Sequence, residues 1–322
     1  MKKLLLVFII LSVLLTACNK KEEVVEEKTN IRLGLLKGPT GIGATYLMEE
    51  NENDEALNKY DVTLAMEATE IVSLLASNSL DIAAIPTNVA ASLYNKMNGG
   101  IKMIALNTAG VLYIGEKGNN INSVEDLKDK TIYAVGQGSN PEYILNYILE
   151  SNGLKVGEDV FVEFLDSAEL VAKAASSEID ICMLPVPAIT TVIAKNKDMR
   201  LALDLTSEWQ KLNNGSILTM GCIVVREEFL KENEDAVNKF LEEYKESINN
   251  VKTNVDHAAD LCEKYEIVAS SAIAKLAIPN SNLIFVAGAE DMKDCIEGYY
   301  EILFSADPKS IGGNLPKDDF YK

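Results

Sequence analysis

Positive charge, arginine and histidine are scarce in this chain. Its 322 residues carry 30 Lys+Arg against 49 Asp+Glu and a single histidine, for a formal net charge of −19. Arg32, Arg200 and Arg226 are the only arginines. A surface so acidic repels phosphate backbones, which excludes nucleic acid as a partner. With His257 alone, there is no material for a histidine-rich metal centre or a Ser-His-Asp triad. Cysteine is sparse and scattered. Cys182 and Cys222 lie in apolar, strand-like runs and read as core thiols. Cys262 and Cys295 fall in helical stretches, where burial and a mutual bridge both stay open, and no spacing fits a metal site. What is present is ordinary globular usage, 48% hydrophobic and 25% charged, with enough chain for one large or two medium domains.

Only one long apolar run exists, Leu4 to Leu15, behind the basic start Met1-Lys2-Lys3. It is too short for a permanent membrane span and suits the core of a signal peptide. It closes with Leu15-Thr16-Ala17-Cys18, which resembles a bacterial lipobox. The expectation is a signal peptide over 1–17, with the Cys18 thiol taking a lipid that anchors an exported protein to the membrane. Residues 18–29 are polar and charge-dense and read as a flexible tether.

The most informative feature is internal. Residues 68–86 and 167–185 align at a constant offset of 99, pairing Glu70 with Glu169, Asp81 with Asp180 and Pro86 with Pro185. Each copy reads as a small-residue helix, a turn, a four-residue apolar strand and a proline that can begin the next helix without losing a hydrogen bond. Each is preceded by a strand and a glycine-containing loop, Lys37 to Gly41 in the first and Gly136 to Asn140 in the second. Alternating strands and helices predict α/β lobes built on mainly parallel sheets. From Glu227 onward the pattern is nearly all helical, after a strand-like run over 217–225.

Ser123 to Ile132 (SVEDLKDKTI), the loop Gly136-Gln137-Gly138-Ser139, the Asp81-Ile82-Ala83 and Asp180-Ile181-Cys182 strands, and the run from Glu234 carry a resemblance. The chain resembles the extracytoplasmic solute-binding lipoproteins of ABC importers, in the nitrate/taurine/sulfonate and thiamine-precursor binding superfamily. It departs where Asp129 stands in place of a common glycine, and in its lack of arginine. The resemblance implies a two-lobed, type II periplasmic-binding-protein-like α/β fold that closes on its ligand by a hinge. Lobe one is then expected over 30–108 and 222–322, and lobe two within 109–221. The crossings fall near 107–112 and 217–221, with Gly110, Gly215 and Gly221 as hinge glycines.

Ligands of open α/β sheets bind beyond the carboxyl ends of the strands. Here that places Lys37, Gly38, Thr40 and Gly41 in one loop, Thr87 and Asn88 in a second, and Ser139 and Asn140 in a third. The loop Pro185-Val186-Pro187 forms an apolar wall opposite. Helix N-termini there offer unpaired N–H groups to an electronegative atom. Thr69 joins from the duplicated helix. Tyr143 and Trp209, the latter in a linker-like stretch, are aromatic candidates for stacking on a flat ligand. Such a cleft is neutral, lined by hydroxyls and amides, and suits a small polar or heteroaromatic nutrient better than a compact anion.

The leading expectation is therefore a binding protein and not an enzyme. It captures a small-molecule ligand and hands it to an ABC permease and its ATPase. No cofactor or metal is called for, the membrane is met through the lipid alone, and the protein is monomeric on the extracytoplasmic face. The alternatives are a ligand-sensing lipoprotein without transport and an enzyme on the same fold.

Overall fold

The computed structural model describes residues 28–322. The signal peptide, Cys18 and most of the tether expected from the sequence lie outside the described residues. The chain first builds β1 (Asn30–Leu36), β2 (Lys59–Ala65), β3 (Ile82–Pro86) and β4 (Ile101–Ala109) of one sheet. It then forms a second sheet from β5 (Leu112–Lys117), β6 (Thr131–Ala134), β7 (Phe161–Phe164), β8 (Ile181–Pro185) and β9 (Met199–Asp204). It returns to the first with β10 (Thr219–Arg226) and β11 (Leu283–Val286). The strand orders are β11-β4-β10-β3-β1-β2 and β7-β6-β8-β5-β9. Two strand-to-strand passages join the sheets, β4 to β5 and the segment leading into β10.

The first sheet is sandwiched between helices. On one face lie α1 (Pro39–Ile42), α2 (Thr45–Glu52), α10 (Glu234–Thr253) and α11 (Val255–Lys264), which follow the short α9 (Glu227–Glu232). Val237, Phe240, Tyr244, Ile248 and Val251 recur at three- and four-residue spacing along α10 and bury against Ile31, Leu33 and Leu35. The other face takes α3 (Ala68–Ala76), α4 (Thr87–Lys96) and α13 (Ala289–Ala306), whose Ile296, Tyr299 and Leu303 share a core with Ile71, Leu75 and Leu93. That core continues into the second sheet through Leu112, Ile114 and Ile132, beneath α5 (Asn140–Ser151) and α8 (Leu205–Lys211). On its opposite face the second sheet carries α6 (Ser167–Ala175) and α7 (Ala188–Lys195).

The duplication is visible in three dimensions. Helices α3 and α6, and strands β3 and β8, begin and end at the same offset of 99. The sheets are less parallel than the alternation of elements predicts. β1 pairs in parallel with β2 and β3, and β6 with β7 and β8, but β10 runs antiparallel to β3 and β4, and β5 antiparallel to β8 and β9. Both strands arrive from the other sheet, β5 directly from β4 and β10 after the helix Leu205–Lys211, so neither closes a strand–helix–strand unit within its own sheet that would impose a parallel course. A second difference is α8, which turns the linker-like stretch around Trp209 into helix, capped by Asp204 accepting from the Thr206 N–H. β11 is a short strand at the edge of the helical region, paired with β4.

Candidate functional site

The loops at the carboxyl ends of β1, β3, β6 and β8 meet between the two sheets. Gly38 adopts φ +94, a left-handed conformation open to glycine, and its N–H donates to Ile267 O at 3.0 Å. A methyl group placed on Gly38 would lie 4.0 Å from Pro187 Cδ, so the loops of the two lobes face each other there across a gap that a methyl group would bridge. Gly41 is held closer still: a Cβ would stand 2.2 Å from Leu36 O, which requires a residue without one. Around this meeting point lies a cleft of about 540 Å³ lined by Lys37, Gly38, Met66, Pro187, Glu263, Glu266 and residues 267–269. Lys37 Nζ is 3.4 Å from Glu266 Oε2, so its charge is already answered.

A second group of expected residues is gathered at the start of β10, where the lobes meet. Thr87 is fully buried at the start of α4; its hydroxyl donates to Thr219 O at 2.7 Å, and its carbonyl accepts from the Tyr300 hydroxyl at 2.9 Å. Asn140, buried at the start of α5, accepts from the Tyr299 hydroxyl at 3.0 Å and directs its Nδ2 to Met220 Sδ at 3.5 Å. The entrance to β10 thus carries contacts to one expected residue from each lobe. Thr219 Oγ1 is buried there without a hydrogen-bond partner among the described residues. Burial pushes the Tyr299 phenol well above its ordinary range, so it stays a neutral donor.

Other expected residues are placed differently. The Thr40 carbonyl accepts from Asn107 Nδ2 at 3.3 Å and from the Tyr244 hydroxyl at 3.2 Å, and Thr40 packs toward the crossing at Gly221. Ser139 is exposed, and its hydroxyl donates back to Gly136 O at 2.7 Å, closing the loop on itself. Tyr143 donates to Gly138 O at 3.0 Å and reaches Asp307 Oδ2 at 3.3 Å, an interlobe contact at the far edge of the seam. Asn88 is half-buried in the first turn of α4, and Thr69 is exposed on α3.

Two aromatic or apolar expectations are corrected. Trp209 is fully buried, with its ring 4.9 Å from Tyr147 and 6.0 Å from Tyr299, and its indole N–H donates to Ser216 O at 3.2 Å. It is a packing anchor with its polar handle satisfied. Val186 points into the core and donates its N–H to Val111 O, while Pro185 is half-buried, so of the expected three-residue wall Pro187 is the residue that lines the cleft. Met66, Met220, Tyr299 and residues 267–269 were not legible as site residues. Met220 and Tyr299 sit in apolar patterns indistinguishable from core, and the 267–269 turn has no local motif.

The arginines are committed elsewhere. Asp81 accepts from Arg32 Nε at 2.9 Å, from the Arg32 N–H at 3.0 Å and from Arg226 at 2.9 Å. Burial opposes ionisation of Asp81, yet the hydrogen bonds from Arg32 and Arg226 outweigh it and hold the carboxyl below its usual range. Arg200 pairs with the buried Glu116 at 2.8 Å. Both clusters sit at the amino ends of β3 and β8, opposite the loops of the cleft. His257 pairs with Glu49 on α2 at 2.9 Å. Among the described residues, Cys182, Cys222, Cys262 and Cys295 are all free thiols. Burial pushes Cys182 and Cys262 up to about 12, which leaves them inert as nucleophiles. Among the described residues no group of three or more His, Cys, Asp or Glu is placed to hold a metal ion.

Residues 101–258 match the family model described as NMT1/THI5 like. Among solved structures, the chain is similar to an ABC transporter protein from Parabacteroides distasonis at 22% identity and TM-score 0.75, covering 92% of this chain and 99% of that one. It is also similar to the periplasmic aliphatic sulphonate binding protein of Escherichia coli at 15% identity and TM-score 0.67, covering 90% and 93%. A third is the ligand-binding component of an ABC-type import system from Staphylococcus aureus, solved with zinc bound, at 16% identity and TM-score 0.64, covering 92% and 97%. No curated protein matches by sequence. The superfamily resemblance carried by the sequence motifs is matched by the family model and by these neighbours, and the fold is the two-lobed periplasmic-binding-protein fold.

Proposed function

We propose that this protein is the extracytoplasmic solute-binding component of an ABC importer, anchored through a lipid on Cys18, and that it binds without catalysis. The observation that carries the reading is the convergence of loops from both lobes. Gly38 faces Pro187 across the cleft, and contacts to Thr87 and Asn140 run together at Thr219 and Met220 at the start of β10. A ligand held there touches both lobes, which is what couples capture to closure.

The same geometry supports a neutral polar or heteroaromatic solute. The one lysine at the cleft is paired with Glu266, and all three arginines are bound to carboxylates at the opposite ends of the sheets. A compact anion such as nitrate or a sulfonate would find helix N-termini but no free guanidinium fork. Buried hydroxyl and amide groups select by hydrogen-bond pattern, and Met66 and Pro187 offer apolar surface to a ring.

A thermal-shift screen tests this directly, since a solute bound only by the folded state raises the melting temperature. The panel holds thiamine and its pyrimidine, riboflavin, nucleobases, sulfonates, nitrate and aromatic carboxylates. A shift with a neutral or heteroaromatic compound is expected, weakened by Asn140→Ala. A shift confined to sulfonates or nitrate would overturn the ligand class. Absence of any shift, together with no co-purifying solute in mass spectrometry of the denatured protein, would overturn capture itself.

A further inference from the structure

Asn282 lies between the turn Ile278–Asn280 and β11, on the side of the first sheet, with φ 45. Its side-chain Nδ2 is 2.7 Å from Gly110 O, 3.2 Å from Thr206 Oγ1 and 3.3 Å from the Tyr113 hydroxyl. Its own carbonyl accepts from the Ala109 N–H at 2.9 Å. Nearby, the Tyr113 hydroxyl donates to Asn280 O at 2.9 Å. Gly110 belongs to the first crossing, and Tyr113 and Thr206 stand on β5 and α8 of the second lobe. The second crossing closes on the same point: a Cβ on Gly110 would fall 2.3 Å from Thr206 Oγ1 and 2.7 Å from Leu218 Cδ2. Both covalent connections between the lobes and one non-covalent contact therefore meet in one place.

This contact is tied to the cleft by α12 (Ser271–Ala277). The helix starts just after cleft residues 267–269 and runs into the turn that carries Asn280 and Asn282. Along it, Ala274 packs in the first lobe's core beside Ile267, whereas Ala277 packs in the second lobe's core with Tyr113 and Leu184. One short helix thus spans two cores, with the cleft at one end and the crossings at the other.

We infer that the Asn280–Asn282 turn is a non-covalent connection between the lobes placed at their crossings, a brace that limits their swing and links the cleft to the hinge through α12. Rotation about the two crossings shears Gly110, Tyr113 and Thr206 past Asn282. Hydrogen bonds lose their strength steeply with distance and angle, so the amide resists that shear. Removing it frees a wider range of interlobe angles. The regulatory meaning of the brace rests on the proposed capture function, but its mechanical action does not.

The test is a spin-label distance measurement on the full-length chain in detergent, with Cys18→Ser and Cys295→Ser as background. Labels go on exposed positions of opposite lobes, Glu70→Cys and Gln137→Cys. Asn282→Gly keeps the left-handed backbone and deletes the amide. It is expected to lengthen and broaden the interlobe distance distribution, with circular dichroism unchanged. Asn282→Asp, which keeps the side-chain shape but cannot donate to Gly110 O, is expected to do the same and serves if the glycine variant fails to fold. Distributions that superpose on the parent's in the folded variants would overturn the brace. The distances are read without any solute, so failure of the capture reading and failure of the brace show in different experiments.

Discussion

Replacing Asp81 with asparagine removes one charge from the Arg32–Asp81–Arg226 cluster and changes little else in shape. Asp81 is almost wholly buried, the Arg226 side chain is 10% exposed, and the Arg32 side chain is 38% exposed. Breaking a buried ion pair by removing one partner costs about 3–5 kcal/mol, because the other charge is left uncompensated. Arg32 regains water, which discounts its share, whereas Arg226 does not and keeps only the exposed Glu228 at 3.3 Å as a counter-charge. The low end, about 3 kcal/mol, is the expected loss. With a urea slope of about 3 kcal/mol/M for a chain of this size, the unfolding midpoint moves down by about 1 M. The direction with pH follows from the depressed Asp81 carboxyl. Its stabilisation is complete above the unfolded value of about 3.9 and is lost as pH falls through the lower folded value. The gap between parent and variant therefore closes on acidification below about pH 4. Arg226→Ala is expected to cost more than Arg32→Ala. A variant within about 1 kcal/mol of the parent at pH 7 would refute the reasoning that this cluster is a buried, charge-dependent clamp.

Gly221→Ala places a Cβ 2.6 Å from Asn107 Oδ1 and 2.7 Å from Thr40 Cγ2, and is expected to lower stability by about 1–3 kcal/mol in the same urea titration. Trp209→Ala is expected to cost about 3–5 kcal/mol while leaving the affinity of the folded protein for its solute unchanged; a selective loss of affinity would return the ring to the ligand site. Tyr299→Phe removes the donor to Asn140 and leaves a buried amide oxygen short of a partner, costing about 1–3 kcal/mol and weakening solute binding by calorimetry. Cys18→Ala is expected to move the protein from the membrane fraction to the soluble extracytoplasmic fraction, read by fractionation and by mass spectrometry of the amino terminus.

Much of the site's framework was legible because it is written locally. The repeated helix-turn-strand-proline units mark α3 and β3, then α6 and β8, and the loops after β1 and β6 carry their own glycines. The helical region from Glu227 was legible from spacing, although Asn233 divides α9 from α10. β11 was not, since four apolar residues after a turn read equally well as the end of a helix. Trp209 misled for a related reason: α8 is seven residues with too few apolar positions to show a period, and its helix is held by the Asp204 cap and by packing against Tyr147.

By itself, then, the chain's composition, repeat and punctuation determined an acidic α/β protein of two related lobes, with loops at the strand ends that face one another. Those properties depend on residues a few positions apart. Only the tertiary structure decided that β10 and β5 run antiparallel, that Pro187 rather than Val186 faces the cleft, and that Asn140 meets Met220 and Tyr299. It also decided that Asn282 meets Gly110 of the first crossing together with Tyr113 and Thr206 of the second lobe. Each of these joins residues far apart in sequence. Such pairings are chosen by which buried groups find a complementary partner once the cores form, and no local spacing records that choice.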